Sequence, residues 1–141
     1  VGLTEIILAV LFNEETRDAK VASHQARRRI TRDALDLIHA FPQRSPSLLE
    51  LCEATGASRR TIFYAFNELL GLSPNAYIKK FRLGEARRAI IQNRQQRCVQ
   101  RVARKLGFSH EGQFAIDYSS AFGESPSETR RRFLGANTNF R

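Results

Sequence analysis

The sequence is short of almost every feature that would mark a secreted, metal-bound or membrane-embedded chain. Its 141 residues hold 2 cysteines, Cys52 and Cys98, far apart and without a CxxC spacing. That argues against a disulfide framework or a cysteine-ligated zinc site and fits a reduced, cytoplasmic chain. His24, His39 and His110 share no spacing that would gather them on one ion, so neither metal nor cofactor is expected. Long apolar runs are missing too. The best of them, Leu3–Phe12, falls well below the roughly 20 residues that a spanning helix needs. No basic segment precedes it, so it does not resemble a signal peptide, and no membrane partner is expected. No glycine-rich phosphate loop, ligand cluster or supported Ser/His/Asp order is present, which leaves an enzyme a poor reading. The last deficit is of negative charge. Only 14 Asp and Glu face 23 Lys and Arg, giving a net charge of +9 and a pI near 10.5. Such a surface favours polyanions, nucleic acid or an anionic membrane face.

What is present is organised around Leu49–Pro74. Ser47 followed by Glu50 spells a capping box that opens a helix. Gly56 ends that helix, Ala57 fills the corner, and Ser58 can cap the next. In the second helix Ile62, Ala65, Phe66, Leu69 and Leu70 recur at helical spacing and predict a core-facing stripe. At about 100° per residue, Arg60, Tyr64 and Asn67 fall on the opposite face with Phe63 at its flank. Two helices joined by a short glycine-containing turn are a helix-turn-helix, and the outer face of the second is basic and aromatic.

The rest of the chain fits around this unit. Residues 3–12 predict a helix, and Asn13 to about Ser23 a polar linker. Ile30, Ala34, Leu37, Ile38 and Phe41 predict a helix that stops ahead of Pro42. Ser73-Pro74 opens a long helix with two apolar faces, Tyr77, Ile78 and Phe81 on one and Leu83, Ala86 and Ile90 roughly opposite. A helix serving one core needs one face; this one is expected to bridge two. Asn93–Gln96 reads as its exit loop. Beyond it the first unit returns: Leu51-Cys52, Gly56, Ser58, Phe66, Gly71, Ser73 and Pro74 reappear as Val102-Ala103, Gly107, Ser109, Tyr118, Gly123, Ser125 and Pro126. The copies are in step up to the serine, and the second is one residue longer beyond it. Phe114, Tyr118, Ala121 and Phe122 predict its core stripe. Ser125-Pro126-Ser127-Glu128 opens a last helix, and 136–141 is expected to fray. The fold class is therefore all-α, two helix-turn-helix subdomains (23–73 and 94–135) joined by a linking helix (74–93), with 1–22 as connector and 136–141 as tail.

Residues 47–130 resemble the AraC/XylS family of bacterial transcription regulators. The likeness rests on Ser58–Ile62, Phe66, Gly71–Tyr77, Arg82-Leu83, Ala86, Val102-Ala103, Gly107-Phe108, Phe114, Tyr118 and Phe122–Pro126. The wording of Gly107–Phe114 is most similar to regulators of the ethanolamine-utilisation type. Family members pair an N-terminal sensing domain with a C-terminal DNA-binding domain. The resemblance thus implies that a sensor lies before Val1 and that Leu3–Phe12 is its last helix or the connector. It further implies sequence-specific binding of double-stranded DNA, with both second helices in successive major grooves. RNA polymerase is admitted as a further partner, and a small-molecule effector only through the sensing domain.

Arg60 leads the base-reading candidates, since a guanidinium can bond guanine O6 and N7 together; a phosphate contact or a solvated side chain is the alternative. Phe63 and Tyr64 can pack on thymine methyls, or Phe63 can be partly buried. Asn67 completes the first set. The second unit offers Gly112, Gln113 and Ile116, of which Gln113 suits adenine N6 and N7. From His110 to Phe122 there is no Lys or Arg, so this unit is expected to read sequence weakly or mainly to hold position. Phosphate contacts are expected from Ser58, Arg59 and Thr61 at one helix start and Ser109 and His110 at the other. Lys79, Lys80, Arg82 and Arg28 come from charge runs that elsewhere are simply solvated faces. An adaptor binding RNA or a protein partner is the competing reading, although duplex RNA hides its base edges in a deep groove.

Overall fold

Capping chemistry sets where the helices begin. The computed structural model describes residues 23–92 and 98–135, and within them every regular element is helical. Helix α1 is described over 23–40, followed by α2 (Leu48–Thr55), α3 (Arg59–Leu70), α4 (Pro74–Gln92), α5 (Val99–Lys105), α6 (Glu111–Phe122) and α7 (Pro126–Gly135). Ser47 Oγ accepts the Glu50 N–H at 3.2 Å while Glu50 Oε2 accepts the Ser47 N–H at 2.7 Å, the reciprocal pair of a capping box. The same pair recurs at α7 between Ser125 and Glu128, at 3.2 and 2.7 Å. Ser58 and Ser73 each cap with one bond, to the N–H of Thr61 and of Ala76. Gly56 closes α2 in the left-handed region with φ 66°, where a side chain would be strained.

The apolar side chains gather into two cores. Ile30, Ala34, Ile38, Leu51, Ile62, Ala65, Phe66 and Ile78 form the first, flanked by Tyr77 and Phe81. Leu83, Ala86, Ile90, Val102, Ala103, Leu106, Phe114 and Tyr118 form the second. Helix α4 enters both. Its early turns seal α1–α3, and its later turns pack on α5, α6 and α7. The two faces legible in its sequence are thus two interfaces, and the helix is the spine of the molecule.

A buried polar network stiffens the second unit. Tyr118 donates from its hydroxyl to Thr129 Oγ1 at 2.9 Å, and Thr129 donates to Glu124 Oε1 at 2.8 Å. Glu124 also holds Arg87 of α4 at 3.1 Å and Arg132 of α7 at 2.6 Å. Each member finds a partner, which is what makes a buried polar chain tolerable. Burial pushes the Tyr118 phenol upward, while the Thr129 bond and the arginines hold the Glu124 carboxyl below its usual range.

Several expectations need correction. Helix α1 ends at residue 40, so Phe41 lies outside it and is 51% exposed instead of packed. Ala121 is exposed and Leu69 half-buried although both share the helical phase of buried residues, because each is the last but one residue of its helix, where the cover of the neighbouring helices ends. Ser23 is already helical, not linker. The helix at 3–12, the linker ahead of residue 23, the exit loop Asn93–Gln96 and the tail 136–141 lie outside the described residues.

Candidate DNA-binding surface

Helix α3 presents its outer face as the burial of its inner one dictates. With Ile62, Ala65 and Phe66 buried, Arg60, Tyr64 and Asn67 are exposed, and Phe63 is half-buried at the flank. Tyr64 is 58% exposed, a large apolar surface left in solvent on a polar helix face. Arg60 lies over it, its guanidinium 5.5 Å from the ring centroid and Nη2 3.5 Å from the hydroxyl. The two side chains stand one turn apart and restrict each other's rotamers. At the start of the helix, Ser58 and Thr61 hydroxyls are bonded to each other at 2.9 Å, so they reach a phosphate only while serving the cap. Arg59 is exposed beside them.

Helix α1 borders this face. Ser23, Ala26, Arg27 and Ile30 form a groove with Arg60, Thr61 and Tyr64. Arg27 donates to Glu68 Oε2 at 2.5 Å and His24 Nδ1 lies 3.4 Å from the other oxygen, so one α3 carboxylate clips α1 down. The Arg27 bond holds the Glu68 carboxyl below its usual value. In the run Arg27–Arg29 this leaves Arg28 and Arg29 exposed. Nothing in the local pattern pointed to Glu68, since the clip joins residues more than 40 positions apart.

The second unit is built alike but dressed differently. Counted from the caps Ser58 and His110, Gly112 occupies the place of Arg60, Ile116 that of Tyr64 and Ser119 that of Asn67. The extra residue sits in the turn, so His110 and not Ser109 is the cap, and its side chain makes no capping bond. Ser109, His110, Gly112 and Gln113 are exposed, and Ile116 is 64% exposed. Gln113 donates to Asp117 Oδ1 at 3.1 Å, and Lys79 of α4 reaches Asp117 Oδ2 at 2.7 Å. Lys79 is therefore engaged with α6, whereas Lys80 is exposed. Sequence reasoning missed Asp117; its spacing of four from Gln113 was the available signal.

Arg82 does not stand on the outer surface where a phosphate contact was expected. Its Nε donates to the Leu106 carbonyl at 2.5 Å, and its guanidinium lies 4.4 Å from the Phe108 ring centroid. A Cβ on Gly107, whose φ is 76°, would fall 2.5 Å from Arg82 Nη2. Arg82 thus pins α4 to the turn of the second unit, and burial lowers its pKa. Around it, Ser45, Pro46, Asn75, Lys79, Phe108 and His110 line a cleft of about 390 Å³ between the units.

Comparison with known proteins agrees with this geometry. A family described as "Helix-turn-helix domain" matches residues 51–132. A solved structure of a probable AraC family transcriptional regulator from Rhodopseudomonas palustris is 38% identical, with a TM-score of 0.70; the match covers 74% of this chain and 96% of that one. The XylDLEGF operon transcriptional activator 1 of Pseudomonas putida is 39% identical over 92 residues, 64% of this chain and 28% of that protein. The probable thc operon regulatory protein of Rhodococcus erythropolis is 32% identical over 103 residues, 72% of this chain and 31% of that protein. The chain spans about a third of the length of these curated relatives. It belongs to the AraC/XylS family, and it is a DNA-binding, transcription-regulating helix-turn-helix domain of that family.

Proposed function

We propose that the chain binds duplex DNA in a sequence-dependent manner, with α3 and α6 entering successive major-groove segments on one face. The observation that carries this is the outward set Arg60, Tyr64 and Asn67 on α3, held on a scaffold whose second copy shares the α4 spine. On this reading Arg60 reads guanine, and Tyr64 and Phe63 pack on thymine methyls. Arg59, Lys80 and Arg28 supply phosphate contacts, with Ser58, Thr61, Ser109 and His110 at the helix starts. The charge asymmetry of the two helices assigns most base discrimination to the first. Relatives named as activators support transcriptional activation; RNA polymerase is the protein partner this reading proposes. Effector sensing then belongs to the part of the relatives that this chain does not span.

Duplex binding measured across salt tests the proposal. The log–log slope is expected near −0.9 per neutralised phosphate. Arg60→Ala should relax sequence preference, costing about 1–3 kcal/mol at one base pair, whereas Arg28→Ala should weaken all duplexes alike. A flat salt response would favour a protein partner, and an unchanged ranking of sites in Arg60→Ala would remove Arg60 from base reading.

A further inference from the structure

Gln113 is not left free on the face of α6. Its amide donates to Asp117 one turn along, and Asp117 is braced in turn by Lys79 from the spine helix. An ionised carboxylate only accepts, so the group facing Asp117 must be the Gln113 NH₂, which fixes the orientation of the amide. Asp117 is itself a departure from the repeat. Its counterpart counted from the caps is Ala65, a fully buried core residue. The Asp117 carboxyl instead stays 16% exposed between Lys79 and Gln113. Core formation asks for nothing charged at this position.

A glutamine amide carries one acceptor and two N–H donors. With one N–H committed to Asp117, the other N–H and Oε1 remain. That is the donor–acceptor pair matching adenine N7 and N6 in the major groove. A long polar side chain that must first be ordered gives up part of its contact energy to lost rotamer freedom. One already anchored loses less. We infer that Asp117, braced by Lys79, is a positioning residue that presets the Gln113 amide to read an adenine, giving the second unit one discriminated base pair. This rests on α6 facing the groove, as proposed above. Lys79 then acts through Asp117 and not on a phosphate.

The test is binding of the full 141-residue chain to duplexes varied one base pair at a time. Gln113→Ala should erase the preference at one base pair, by about fivefold or more. Asp117→Ala should erase most of that same preference while the one set by Arg60 persists. Asp117→Asn, whose amide oxygen still accepts from Gln113, should retain more of it than Asp117→Ala does. Should Asp117→Ala fail to fold, Lys79→Met must weaken the same base pair and no other. If Gln113→Ala changes a base preference and Asp117→Ala does not, the inference fails and the groove-facing reading of α6 stands. If Asp117→Ala weakens every sequence equally, its role is structural and the inference fails again. If Gln113→Ala changes no preference, the groove-facing reading fails and takes the inference with it.

Discussion

Arg82 shows where a residue's type and its role part company. A basic side chain beside Lys79-Lys80 reads as one of a run of phosphate contacts, because a charge run gives no sign of which member turns inward. The structure sends it to the Leu106 carbonyl and the Phe108 ring. Arg82→Ala removes a bond from a charged donor and the packing of its stem, and takes the Arg82 donor away from the Leu106 carbonyl. A loss of about 2 kcal/mol in unfolding free energy is expected by chemical denaturation. The salt slope of DNA binding should stay as it was, whereas Lys80→Ala should reduce it by about one phosphate. A shallower slope with intact stability in Arg82→Ala would restore it to the DNA surface. Gly107→Ala should be destabilising for a linked reason: it forces a side chain into left-handed backbone and against the same guanidinium. Arg60, Tyr64, Asn67, Gln113 and Ile116 were placed outward by helical phase alone, because counting from buried Ile62, Phe66, Phe114 and Tyr118 leaves no other side for them. Asp117 and Glu68 were not found that way. Their partners come from other elements, and phase on one helix says nothing about what approaches it.

At the scale of elements, local chemistry was the readable part. Ser47, Ser58, Ser73 and Ser125 announce four helices, and each serine makes the capping bond its position promises. Where the serine is displaced, prediction loses its footing. The extra residue after Ser109 moves the cap to His110, whose ψ of 108° differs from the 157° of Ser58 and whose side chain makes no capping bond. The contrast yields a prediction. Ser47→Ala and Ser125→Ala should each destabilise the protein by about 1 kcal/mol, since each takes the side-chain acceptor from one helix-start N–H, that of Glu50 or of Glu128. His110→Ala has no capping bond to lose and should stay within about 0.5 kcal/mol of the parent. Thermal or denaturant unfolding of the three variants decides it, and a large loss in His110→Ala would mean that the histidine has a partner at the helix start after all. The ends of the apolar stripes were the other weak point. Phe41 and Ala121 satisfy the spacing rule at the C-terminal ends of their stripes, and spacing does not reveal where a helix or its neighbour ends.

At the scale of the molecule, the double-faced α4 made two units legible, but not what holds the second against the spine. Beyond the apolar contacts of Leu83, Ala86 and Ile90, that attachment uses Lys79–Asp117, Arg87–Glu124 and the Arg82 bond to Leu106. Two of these three depend on an ionised carboxylate, so the attachment should respond to acid. Asp117 is held below its ordinary pKa first by the Lys79 bond, and Glu124 first by the Thr129 bond and then by Arg132 and Arg87. A carboxyl whose folded pKa is depressed stabilises the native state in full above the unfolded value. That stabilisation is lost as the pH falls through the folded value. The melting midpoint should therefore decline as the solution is taken from about pH 5 towards pH 3. An Asp117→Asn, Glu124→Gln double variant should begin lower at neutral pH and decline less steeply on acidification. Glu50, Glu68 and Glu128 keep part of the decline in both proteins, since their pKa values are depressed as well. Duplex binding should follow the same order. A site spanning two turns needs both recognition helices held at one fixed phase on α4, whereas phosphate-driven binding by the first unit does not. Loosening the second unit in acid should thus erode discrimination between duplexes before it erodes affinity for DNA as such. Equal acid responses in parent and double variant would assign the attachment to the apolar face of α4 alone.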